Sequence, residues 1–167
     1  MPVGVSAYVA LANVTLGASA TSVNFSSISQ DYRDLVLIID NAREAANNGA
    51  TMLMRFNSNS SSIYNEVEMS GNGTSTQSST NTSQPEFALS QGQGMSNTNP
   101  MNFLVNIMDY STDKHKTVLV RTNFPSGMVQ ASAKRFAATT AVSSINLRPF
   151  TGSFASNTSF ALYGIAS

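Results

Sequence analysis

The stretch NFLVNI, residues 102–107, places Phe103, Val105 and Ile107 at every second position, with Asn102 and Asn106 on the opposite phase. A period of two puts the apolar side chains on one face of an extended strand, because successive side chains point to opposite sides. The same alternation recurs in both directions along the chain. Toward the C-terminus, Val118 and Val120 share a side in TVLVRT with Arg121 on the other. Phe136 lies in a strand around residues 132–140, Ile145 and Leu147 oppose Asn146 and Arg148, and SFALYGI at 159–165 is the last strand. Toward the N-terminus, Phe87 and Leu89 mark a short strand, and Met52, Met54 and Phe56 share a face. Ile63, Glu66, Val67 and Met69 follow less regularly, as a strand with a bulge does. LVLIID at 35–40 is apolar on both faces, the pattern of a central strand covered on both sides. Val23 and Phe25 alternate in another short strand, and Tyr8, Ala10, Ala12, Val14 and Leu16 fall on one face of the first.

Turn material separates these runs: TLGASATS at 15–22, NNG at 47–49, and two polar segments without apolar alternation. Residues 71–84, GNGTSTQSSTNTSQ, contain no apolar side chain and read as a long surface loop; residues 91–100 read as a second. No helical period of 3.6 competes. The expected fold is all-β, a jelly-roll-like β-sandwich of about nine or ten strands with two long polar loops. Dividing the chain at 71–84 would leave halves with too few strands to close a sandwich, so residues 1–167 are expected to form a single domain.

Charge is scarce and balanced. Nine Lys and Arg offset nine Asp and Glu, and only 11% of residues are charged, while Ser, Thr and Asn together supply 58 of 167. A neutral chain lacks the basic patch that neutralises nucleic-acid phosphates, so no nucleic-acid partner is expected. No aliphatic run approaches a membrane span, and no membrane partner is expected. The N-terminal stretch has no cation before Arg33 and reads as a strand rather than a leader peptide.

Candidate chemistry is thin. Cysteine is absent, which excludes disulfides and thiolate metal sites, and the one histidine, His115, lies in the polar turn sequence STDKHKT. Asp109 and Asp113 are near it in sequence, yet no G-x-S-x-G elbow accompanies them, and a nucleophile needs a positioned base. Glu66 and Glu68 share a strand face at i, i+2 and are read as two solvated acids on an outer face. The GQG at 92–94 lacks the third glycine of a dinucleotide loop. The six N-x-S/T sequons are what this composition yields by chance. No catalytic residue, cofactor or metal is expected, and the chain is read as a non-enzyme.

Three pieces carry a resemblance. SVNFSSISQDYRDLVLIIDNAR at 22–43 contains F-S-x-I-x-x-x-Y-x-D-L running into an apolar strand. MRFNSNSSSIYN at 54–65 has R-F-N before a polar turn and a tyrosine, and INLRPFTGSFASNTSFALYGI at 145–165 closes on S-F-x-L-Y-G-I. Together they resemble a module of tailed-bacteriophage virion proteins, found in capsid decoration proteins and in tail-fibre or receptor-binding proteins. The resemblance implies a jelly-roll sandwich that works as a homotrimer. It implies core positions at Phe25, Leu35, Phe56, Phe160 and Leu162, and turn or packing requirements at Asn57 and Gly164. It transfers no catalytic residue.

The expected function is therefore a structural one: an outer-capsid decoration or cement protein of a virion, partnered by the major capsid protein. Its chain, running from Met1 to Ser167, carries no coiled-coil or collagen-like stalk. The alternative is a tail-fibre or tailspike module that grips host-surface glycan through polar loops. Asn72, Thr74, Thr76 and Asn81 are the candidate solvent-facing loop surface under either reading.

Overall fold

Twelve strands in two antiparallel sheets make up the computed structural model, which describes residues 7–46, 49–92 and 94–166. In chain order they are β1 (Tyr8–Thr15), β2 (Val23–Phe25), β3 (Asp34–Ala42), β4 (Met52–Phe56), β5 (Tyr64–Gly71), β6 (Thr76–Gln84), β7 (Phe87–Ala88), β8 (Met101–Met108), β9 (Lys116–Asn123), β10 (Val129–Phe136), β11 (Ile145–Pro149) and β12 (Ser159–Ile165). The large sheet runs β1-β12-β3-β8-β9-β10-β5-β6 and the small one β2-β11-β4-β7. No helix occurs among the described residues. The all-β sandwich expected from the alternation is the fold observed.

The two sheets meet through side chains that the period-two pattern selects. Leu35, Leu37 and Ile39 of β3, Phe103, Val105 and Ile107 of β8, and Phe160 and Leu162 of β12 pack against Phe25, Met52, Met54, Phe56, Ile145 and Leu147 of the small sheet. Each such side chain contributes about 1.5–3 kcal/mol when removed from water. A ring cluster ties the sheets at one end: Phe56 meets Phe87 and Phe136 edge-on, with centroids 5.7 and 5.4 Å apart, and Tyr64 lies 4.8 Å from Phe87 and 4.9 Å from Phe136.

Residues 71–84 are not a loop. They form the second half of a β-hairpin, with β6 paired along β5 from Gly71↔Thr76 to Tyr64↔Gln84 and one register shift between Tyr64 and Glu66. The turn is built by Asn72, whose Oδ1 accepts from the backbone N–H groups of Thr74 (3.0 Å) and Ser75 (2.9 Å), and by Gly73 at φ 88. Being the last strand of the sheet, β6 buries little and needs no apolar residue. This addition helps raise the strand count to twelve from the roughly nine or ten that apolar runs announce. The described part of residues 91–100 does carry no strand, as expected.

Other departures are local. In β1 a bulge between Ala10 and Ala12 shifts the phase, so Tyr8 and Ala10 leave the face of Ala12 and Val14; Tyr8 is exposed and meets Tyr163 edge-on. β10 ends at Phe136 rather than continuing to Thr140. In β3, Leu35, Leu37 and Ile39 are buried, but Ile38 on the opposite face is 41% exposed. That strand is central in its sheet, covered along one face and, on the other, at Val36, which is 3% exposed. Of the NNG turn at 47–49, Asn47 and Asn48 lie outside the described residues, and Gly49 takes φ 68.

Candidate functional site

Strand register lays the inner face of the large sheet out in cross-strand rows. One row reads Leu35, Ile107, Val118, Lys134, Glu66, Asn81; the next reads Leu37, Val105, Val120, Ser132, Glu68, Ser79. Both turn from apolar to polar where β9 meets β10. The outer face lacks this division. There the rows run Ile38, Leu104, Arg121, Ala131, Met69, Ser78 and Val36, Asn106, Leu119, Ala133, Val67, Thr80. Alternation in β5 and β10 is intact, but the polar residues point inward and the apolar ones outward. This inverted arm of β10, β5 and β6 is where the molecule departs from an ordinary sandwich.

The inward polar groups have a reason. β7 is the edge of the small sheet, and the free side of Ala88 offers one N–H and one C=O. Lys134 Nζ donates to the Ala88 carbonyl at 2.8 Å and also reaches Glu66 Oε2 at 2.8 Å; the Ala88 N–H donates to the same Oε2 at 3.3 Å. Asn81 Nδ2 donates to Glu66 Oε1 at 3.2 Å. Beside it, Glu68 accepts from Ser79 Oγ at 2.7 Å and from Gln130 Nε2 at 2.6 Å. The side chains of Lys134 and Glu66 are 0% and 3% exposed. Burial pulls the Lys134 ammonium below its ordinary range, opposed by Glu66, and burial pushes the Glu68 carboxyl up against its donors. Arrayed this way, the groups complete a sheet edge, and of them the Gln130 Oε1 is left buried without a hydrogen-bond partner.

The solvated outer-face placement expected for Glu66 and Glu68 is thus overturned, because Val67 and Met69 occupy that face. Asn81, expected on a solvent-facing loop, points to Glu66, while Asn72, Thr74 and Thr76 are exposed in the hairpin turn and at the start of β6. Phe25, Leu35, Phe56, Phe160 and Leu162 are all buried. Asn57 takes φ 52 and ties its turn to residues 141–144, its Oδ1 accepting from the N–H groups of Ser143 and Ser144 and its Nδ2 donating to the Ala141 carbonyl. Gly164 lies against the ring of Tyr32 with no room for a Cβ. His115 is exposed in the turn between β8 and β9. Its neighbour Lys116, unremarked in the sequence, is buried, and its ammonium donates to the carbonyls of Thr112, Lys114 and Thr139. The Asp and Lys charges of this turn hide it: nothing in STDKHKT distinguishes the inward lysine except its phase with Val118.

The outer face carries the exposed apolar groups. Val67 is 53% exposed, Met69 64% and Val129 63%, and Ile38, Leu119 and Met108 accompany them on the same side. A shallow groove of about 990 Å³ crosses it, lined by Ile38, Leu104, Arg121, Val129, Ala131 and Met69 among others. Contiguous exposed patches of this kind are places where proteins meet other proteins, membranes or ligands.

The chain matches no protein-family profile and no curated relative. Among solved structures it is similar to a protein of unknown function, SO2946 from Shewanella oneidensis MR-1. The identity is 11% and the TM-score 0.32, over 96% of this chain and 77% of that one.

Proposed function

We propose that this chain is a non-enzymatic structural protein of a tailed-phage virion, a homotrimeric decoration protein on the outer capsid that stabilises the shell by bridging its subunits. One observation carries the reading: an apolar sheet face running over β3, β8, β9, β10 and β5 with no second layer against it among the described residues. A protein that works by buried area needs such a face, and adds stability by mass action rather than by chemistry. The resemblance in residues 22–43, 54–65 and 145–165 supplies the setting. The neutral hydroxyl and amide groups of β6 then face solvent. The test is reconstitution: shells assembled without the chain should become more resistant to heat and urea when purified protein is added, in a saturable ratio. Shells that neither bind it nor gain stability would refute the reading.

A second reading, a tail receptor-binding module for host-surface glycan, is favoured by one feature. A groove of about 490 Å³ beside β6 is lined by Glu68, Ser70, Gln77, Ser79 and Gln91, whose carboxylate, hydroxyl and amide groups suit sugar hydroxyls. Glycan-induced NMR shifts confined to those residues would favour it over the capsid role.

A further inference from the structure

Arg121 stands inside an apolar row. Its cross-strand neighbours are Leu104 and Ala131, and Leu119 precedes it on the same face of β9. Arg135 lies on the same sheet face at the end of β10, beside Thr117 and Asn65. Neither guanidinium has an ion pair or hydrogen bond among the described residues. The acids of this face do not serve them: Asp34 is paired with Arg33 at 2.8 Å, and Asp40, one row from Arg121 and separated from it by β8, forms no ion pair with it.

Whatever covers the apolar rows also covers Arg121. Taking a guanidinium out of water without an anion is strongly unfavourable, whereas a carboxylate can meet it with two parallel hydrogen bonds. The five strands of this face, eight or nine residues long, span on the order of 600 Å², the low end of the roughly 600–1,000 Å² per side of a standard interface. Resting on the structural reading above, the geometry points to one occupant. It is the surface of a different protein, apolar at its centre, with a carboxylate opposite Arg121 and a second opposite Arg135. Another copy of this chain fits less well. Each face brings two unpaired guanidinium groups and one free carboxylate, so a face packed on itself leaves half its cations unmatched.

The test uses purified particles assembled with the Arg121→Lys variant and treated with a water-soluble carbodiimide, which joins an amine to a carboxylate in contact with it. A cross-link from position 121 to an Asp or Glu of another virion protein is the expected result. A cross-link to a second copy of this chain overturns the assignment and gives the face to self-association. Particles that contain the chain without any cross-link at position 121 overturn it too, while leaving the structural role standing. Particles lacking the chain overturn that role together with the partner. A second measurement guards against a variant that fails to fold. With thermal melts matching the parent protein, Arg121→Glu should weaken binding to shells assembled without the chain at least tenfold, and Lys114→Glu, in an exposed turn, should not. Equal binding by Arg121→Glu contradicts the proposal.

Discussion

Lys134 Nζ lies 2.8 Å from Glu66 Oε2 with both side chains sealed from solvent, and the pair closes on the free N–H and C=O of Ala88. The ion pair acts as the neighbour that β7 lacks. Removing one member leaves the other charged and dry, so Lys134→Met should cost about 3–5 kcal/mol. The double variant Lys134→Met, Glu66→Gln should recover part of it. Urea unfolding measures both, and a Lys134→Met protein as stable as the parent would contradict the assignment.

The Glu68 carboxyl gives a pH signature. Burial raises its folded pKa above the unfolded value of 4.5, so the folded state holds a proton that the unfolded chain has released. Its contribution is full below pH 4.5 and is lost as pH rises through the raised folded value. Stability of the parent relative to Glu68→Gln should therefore fall with rising pH over that window, as read from denaturant midpoints. A difference that rises with pH would reverse the sign.

Tyr64 should behave similarly at the alkaline end. Burial pushes its phenol from 10.0 to about 12, and its hydroxyl donates to the Asn59 carbonyl at 2.8 Å. The folded state keeps this proton between pH 10 and 12 after the unfolded chain has lost it, so stability from this group declines across the interval. Ultraviolet titration should find a late-ionising tyrosine missing from Tyr64→Phe.

Asn57 and Gly164 should be intolerant for different reasons. Asn57→Ala loses four hydrogen bonds and a residue type suited to φ 52, at roughly 2–3 kcal/mol. Gly164→Ala drives a methyl into the Tyr32 ring and should cost about 1–3 kcal/mol. Replacing Tyr32 by a smaller residue should relieve the second and leave the first unchanged, which thermal melts of the paired variants can establish.

His115→Ala should change stability by less than about 0.5 kcal/mol, because the imidazole is exposed in a turn. Particle assembly should be unaffected, and a loss of assembly with the fold intact would reveal a role for it.

What the sequence disclosed depends on whether a strand has one apolar face turned to the core. Phe103, Val105 and Ile107 do, and their strand was legible; the buried set Phe25, Leu35, Phe56, Phe160 and Leu162 followed from the resemblance. Thr76–Gln84 has no apolar face, so only the Asn72-Gly73 turn signalled a hairpin. Glu66, Val67, Glu68 and Met69 have the right period with the polarity reversed. Periodicity locates two faces without saying which is inside, and the ordinary assumption chose wrongly. The deciding facts, Lys134 and Gln130 on a strand distant in sequence and the open backbone of Ala88, exist only once the sheets are assembled.

The most direct test of the structural role is electron microscopy of an intact particle at a resolution that traces strands. Under the proposed role this chain should lie on the outer shell, with Met69, Leu119 and Val129 covered by protein and the β5–β6 hairpin tip at Asn72 in solvent. Finding it at the tail tip alone, or on the shell with that sheet face bare, would contradict the account.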